Sequence, residues 1–274
     1  MEYSLVTYAL SLLAAGIFSG FIAGLFGVGG GIVRIPIFLF LFPLFGINPD
    51  VLMHVAAGTS LALAIPSSLM SSIAQYRAGK LDLNFLKSWI PPLVVGVILG
   101  LFIMRYVSSR FLEQIFAFIV LAVSIQMFFT TSDFKITKEL PGVAVRALSS
   151  FSIGTLATLA GLTGGSFTTP VLTSYGYSIH RAIAVGSAGS VFISIIGTAG
   201  SVINGIGVKD RPPFSLGYID LTAVLVMIIP IIILAPLGVK LANNLSKARL
   251  RKIFAIFLFI VALDMLRSLY WFNT

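Results

Sequence analysis

Cysteine is absent from the 274 residues, and charge is scarce: Lys, Arg, Asp and Glu together make up 10% of the chain. Without cysteine there is no disulfide, no thiolate nucleophile and no iron–sulfur cluster. Two histidines and nine acidic residues form no cluster with metal-ligand spacing, so no metal or other cofactor is expected. The phosphate-binding glycine–lysine–hydroxyl signature is missing as well; "AGKL" at 78–81 has neither its spacing nor its hydroxyl. Soluble domains carry about 25% charged residues. A chain with 10% charged and 58% hydrophobic residues is built for lipid. Residues 1–25 lack the basic start and cleavage site of a signal peptide and read as a first membrane helix.

What is present is a succession of apolar segments. Helical elements are expected near 4–26, 32–45, 50–76, 83–104 and 111–130, then near 143–163, 166–176, 181–206, 218–240 and 248–272. The second set repeats the first. A shift of 138 residues aligns 79–127 with 217–265 without a gap, and 14 of the 49 positions are identical. Shared greasiness accounts for matched aliphatics, but not for Asp82/Asp220, Pro92/Pro230 and Gly100/Gly238 in register. The fold class is therefore an all-α polytopic membrane protein with repeats spanning 1–138 and 139–274, giving eight to ten membrane helices, some short or broken. Five elements per half is an odd number, so the second copy is expected to be inverted in the membrane.

Basic residues test that topology. If every element changes sides, one face collects twelve Lys and Arg and the other five, which puts both termini outside the cytoplasmic membrane. The net charge of +9 is then a topology signal, not a nucleic-acid surface. The elements at 32–45 and 166–176 are shorter than the ~20 residues a crossing needs, so each could instead fold back on its predecessor. Trp89 and Trp271 fall near expected helix ends, where interfacial anchors sit.

"GLFGVGGGIVRIPIF" (24–38) sets a glycine cluster inside this apolar background, and "AGLTGGSFTTP" (160–170) answers it in the second half. A helix broken within the membrane frees backbone N–H groups that must find partners. Aimed at a cavity, such groups hold an anion, helped by the positive end of the next helix. Gly29, Gly30 and Gly31 in one copy and Gly164, Gly165 and Ser166 in the other are the candidate backbone donors. Thr59, Ser60, Ser187 and Ser190 add hydroxyls one helix later, and Thr168 stands where the first copy has Arg34. An arginine inside a membrane segment is costly unless it faces a cavity or a partner, and a bound anion would be a natural one. The plainer reading puts Arg34 near the surface, where it snorkels out. For Gly58, Gly186, Gly189, Gly197 and Gly200, close helix packing accounts for the glycines at least as well as a ligand does. His54 and His180 open corresponding helices, and Asp264 is followed by Arg267 at i+3.

These motifs, with "AAGTSLALAI" and "AVGSAGSVFISIIG", resemble the sulfite exporter TauE/SafE family, also called the toluene-sulfonate uptake permeases, over essentially the whole chain. The resemblance implies a permease for small sulfur-containing anions such as sulfite, thiosulfate or organosulfonates, without fixing its direction. By position it points to Gly27 through Gly31, Pro36, Gly58, Thr59 and Ser60, and to Gly161, Gly164, Gly165, Pro170, Gly186 and Ser187. The expectation is a secondary transporter, not an enzyme, that binds a small anion and alternates access between two inverted halves. Coupling to protons and self-association are left open. A passive anion channel is the rival within transport. An intramembrane serine hydrolase using Ser166 or Ser60 with His180 or His54 is the remote rival, because nothing sets nucleophile and base together.

Overall fold

The computed structural model describes residues 5–26, 30–129, 142–243 and 247–271. Among them are ten helices: α1 (Leu5–Phe26), α2 (Gly31–Leu44), α3 (Pro49–Arg77), α4 (Leu83–Tyr106), α5 (Ser109–Phe129), α6 (Val143–Leu159), α7 (Gly165–Ser174), α8 (Ile179–Gly205), α9 (Leu221–Asn243) and α10 (Lys247–Trp271). Each falls within a few residues of its expected range. Six are long and apolar enough to cross a membrane: α1, α3, α4, α5, α8 and α9. At 14 and 10 residues, α2 and α7 are the short pair.

Local chemistry explains the boundaries. Asn48 caps α3 by accepting from the Asp50 N–H, with Pro49 at the first helical position. Asp82 caps α4 through the Phe85 N–H. The ends of α2 and α7 are closed alike. Gly46 and Gly176 take positive φ, and the following residues, Ile47 and Tyr177, return their N–H groups to Phe42 and Leu172. That is the left-handed helix stop that glycine makes cheap, and it occurs at matching places in the two halves.

The packing carries the same two-fold pattern. α1 lies on α9, and its counterpart α6 lies on α4, the counterpart of α9. α3 packs on α8 and α5 on α10, each against its own equivalent. Small residues let these backbones touch. A Cβ at Gly20 would stand 2.7 Å from the Ile231 Cα, and one at Gly100 2.9 Å from the Thr155 carbonyl. The two long helices at the centre are α3 and α8. Burial takes 78% of the apolar window of α3 and 61% of that of α8, against 28% for α1, α5 and α9.

Two expectations are corrected. Trp89 is no interfacial anchor: it is fully buried between α4 and α6, where its carbonyl accepts from Ser150 Oγ. The helix expected from 218 starts instead at Leu221, because the residues before it form a hairpin. β1 (Ser215–Leu216) and β2 (Ile219–Asp220) form a two-rung antiparallel hairpin that sinks into the bundle, with Gly217 at positive φ against Val202 of α8.

Candidate functional site

At the first break, Gly27 and Gly29 lie outside the described residues, and Gly30 is the visible hinge. Its φ of 77° is left-handed, and its carbonyl accepts from the Val33 and Arg34 N–H groups to start α2. Gly30, the residue at the cap position, has no side chain to offer this helix start. Arg34 does not snorkel outward; it is 1% exposed. Its side chain folds back over the start of its own helix, so that a Cβ on Gly30 would stand 2.7 Å from Nη1. Nη2 donates to the Ser60 carbonyl at 3.2 Å. A guanidinium laid on the positive end of a helix concentrates positive potential in one place. Such an arrangement favours a negative ligand.

The second break meets the first. α6 ends in a left-handed stop at Gly161, with the Gly161 N–H on the Thr158 carbonyl and the Leu162 N–H on the Ala157 carbonyl. Ser60 Oγ donates to the Gly161 carbonyl at 3.0 Å. A Cβ on Gly31 would stand 3.1 Å from that same oxygen. Ser60 therefore ties both breaks together, its carbonyl on Arg34 and its hydroxyl on Gly161. Residues 101 positions apart are joined by one side chain.

From Gly164 onward the second copy differs. The Gly165 N–H donates to Ser190 Oγ at 3.0 Å, and the Ser190 hydroxyl in turn donates to the Gly186 carbonyl. This amide is thus already held from α8. Thr168, the counterpart of Arg34, is fully buried, and its Oγ1 has no hydrogen-bond partner among the described residues. Ser166 is half-buried at the start of α7. Ser187 spends its hydroxyl on the Ala184 carbonyl of its own helix. Thr59 is buried beside Ser60 but accepts from the Asp220 N–H of the hairpin.

Most other glycines of α3 and α8 serve packing. Gly58 abuts Tyr218, Gly197 abuts Leu61, Gly200 abuts Leu101, and Gly186 lies against Gly165. His54 is buried with Nε2 on the Met104 carbonyl, whereas His180 is exposed. Asp264 and Arg267 are both exposed on α10. Sequence reasoning missed the hairpin cluster in which Tyr8 of α1 donates to Asp220, and Ser190's role as the cap of α7. The Asp82/Asp220 match was the one available signal for the former.

Among the described residues, ten helices, six of them long and apolar enough to cross a bilayer, make this a multi-pass membrane protein. The sequence profile of the family described as "Sulfite exporter TauE/SafE" matches residues 12–265. The chain belongs to that family. Among its relatives is a "Probable membrane transporter protein" of Haemophilus influenzae, 31% identical over 260 residues that cover 94% of this chain and 98% of the relative. A protein of Methanocaldococcus jannaschii with the same description is 27% identical over 273 residues, covering 97% and 98%. No solved structure gives a significant match.

Proposed function

We propose that the protein is a secondary carrier for a small sulfur-containing oxyanion such as sulfite, thiosulfate or an organosulfonate. The anion is held where the two breaks meet. Arg34 supplies the charge, and the start of α2 supplies backbone donors. The observation that carries this reading is the 1% exposure of Arg34. A permanent cation is expensive to bury in a membrane bundle, and here its Nη1 lies directly against the Gly30 turn. In this reading the second break contributes a neutral wall: Gly161 touches the first break, Gly164, Gly165, Ser166 and Thr168 follow it in the chain, and Ser190 fixes their helix.

The two-fold packing supports a carrier made of two inverted repeats, 1–138 and 139–274, that rock about α3 and α8. In this reading both termini lie outside the cytoplasmic membrane. Single cysteines at Lys80 in the α3–α4 loop and at Lys209 in the equivalent α8–α9 loop, both exposed in this cysteine-free chain, should label from opposite faces. Labelling from the same face contradicts the inverted arrangement.

The direct test of function is thermal stabilisation of purified protein by sulfite, thiosulfate, sulfate and toluenesulfonate. At least one should raise the midpoint in the wild type and fail to do so in Arg34→Gln. Equal response in both proteins would remove Arg34 from the site.

A further inference from the structure

Asp82 and Asp220 occupy matching places in the two halves and do the same local work. Each caps the helix that follows: Asp82 accepts from the Phe85 N–H, and Asp220 from the Ala223 N–H. Each also accepts from a tyrosine hydroxyl of the opposite half, Tyr177 for Asp82 and Tyr8 for Asp220. Their surroundings differ. Asp82 is half-buried at the surface, and Arg181 lies close enough to act on its tyrosine. Asp220 is 1% exposed, drawn into the bundle by the hairpin.

Capping does not explain that burial. An asparagine, serine or threonine caps a helix about as well and brings no charge into the interior. An ionisable group sealed in a membrane bundle marks function by default. The groups facing Asp220 are Tyr8 from α1, Thr59 from α3, Ser215 across the hairpin, and Thr222 and Ala223 from α9. His54 of α3 is one step further off, its ring 4.9 Å from that of Tyr218, whose N–H donates to the Ser201 carbonyl of α8. Arg211 acts on Tyr218. The donors to the Asp220 carboxyl are neutral hydroxyl and amide groups, those of Tyr8, Thr222 and Ala223. A carboxyl held by neutral donors and sealed from water is one that a proton can join and leave.

Resting on the carrier reading above, we infer that Asp220 is the proton-binding site of the transport cycle. Its carboxylate takes up a proton from water on one side of the membrane together with the anion, and releases that proton to water on the other. The link to the anion is short. The Asp220 N–H is bonded to Thr59 Oγ1, and the next carbonyl along α3, that of Ser60, holds Arg34. An ionised Asp220 would compete with the anion for positive potential, and a protonated one would not. Coupling is reciprocal, so the anion must favour the proton as the proton favours the anion.

The test uses the full chain in lipid vesicles and two readouts. Infrared titration should show a protonated-carboxyl band that titrates in the wild type and is lost in Asp220→Asn. In Tyr8→Phe the band should persist but move in frequency, because its carbonyl has lost a hydrogen bond. Toluenesulfonate stays a monoanion throughout, so any pH dependence of its binding belongs to the protein. Its affinity should rise about tenfold on acidification in the wild type. In Asp220→Asn it should stay at the high, low-pH value at every pH. If the band survives in Asp220→Asn, or if the affinity keeps its wild-type pH dependence there, the proton site is not Asp220 and the anion site stands. If toluenesulfonate, sulfite, thiosulfate and sulfate all fail to bind the wild type at any pH, the carrier reading fails and the coupling role with it.

Discussion

At the first break a left-handed glycine and a buried guanidinium crowd into one place; at the second, a hydroxyl from α8 already holds the helix start, and a threonine replaces the arginine. One repeat unit has thus diverged into a charged half-site and a neutral one. A small anion with a single strong electrostatic contact needs only one cation, and a second arginine would carry its own desolvation cost. Asymmetry in the site and two-fold symmetry in the packing are compatible, because helix-on-helix contacts need matched small residues whereas the ligand needs a net charge.

Six substitutions, taken in four steps, break or sharpen that comparison. The largest effect belongs to Arg34→Gln, which should weaken anion binding by about 2–3 kcal/mol, as expected for lost charge-assisted hydrogen bonds. Arg34→Lys should recover only part of this, because an ammonium lacks the planar fork that matches oxyanions. Affinities from titration calorimetry check both. Next comes the pair Gly30→Ala and Gly165→Ala, read by thermal unfolding in detergent. The first forces a side chain into left-handed backbone at about 1–2 kcal/mol, and also displaces Arg34. The second meets nothing closer than Ser190 Oγ at 3.5 Å, so it should be neutral or stabilising by up to about 1 kcal/mol.

Ser190→Ala is third. Removing the acceptor for the Gly165 N–H should cost about 1 kcal/mol of stability, the usual worth of a helix cap. Thr168→Val is last. Its hydroxyl has no partner among the described residues, so stability should change by less than about 0.5 kcal/mol. Anion affinity should fall by about 0.5–1 kcal/mol if the hydroxyl donates to the ligand. An unchanged affinity would assign Thr168 to packing alone.

The helices were legible because membrane spans are written locally, in runs of apolar residues and in caps such as Asn48 and Asp82. The repeat was legible because Asp, Pro and Gly recur in register. Arg34 stood out by type, yet its depth was open, since the sequence could not say whether α1 delivers Gly30 to the surface or to the interior. Trp89 shows the same limit: its place near a helix start suggested an anchor, and only the packing of α4 on α6 buries it. The hairpin at 215–220 was missed because its two rungs are too short to carry an alternating pattern. Once buried, Asp220 meets Tyr8, 212 residues away in the chain. Contacts of that span leave no local periodicity to read.

The central claim is that an anion sits where the two breaks meet, within reach of the Arg34 guanidinium. Selenate carries the charge and shape of a small oxyanion and adds an anomalous signal at its centre. A crystal structure with selenate bound should place an anomalous peak beside Arg34, between the Gly30 turn and the Ser60–Gly161 contact, and the peak should vanish in Arg34→Gln. Peaks confined to the basic loops, with none beside Arg34 in the wild type, would contradict the account.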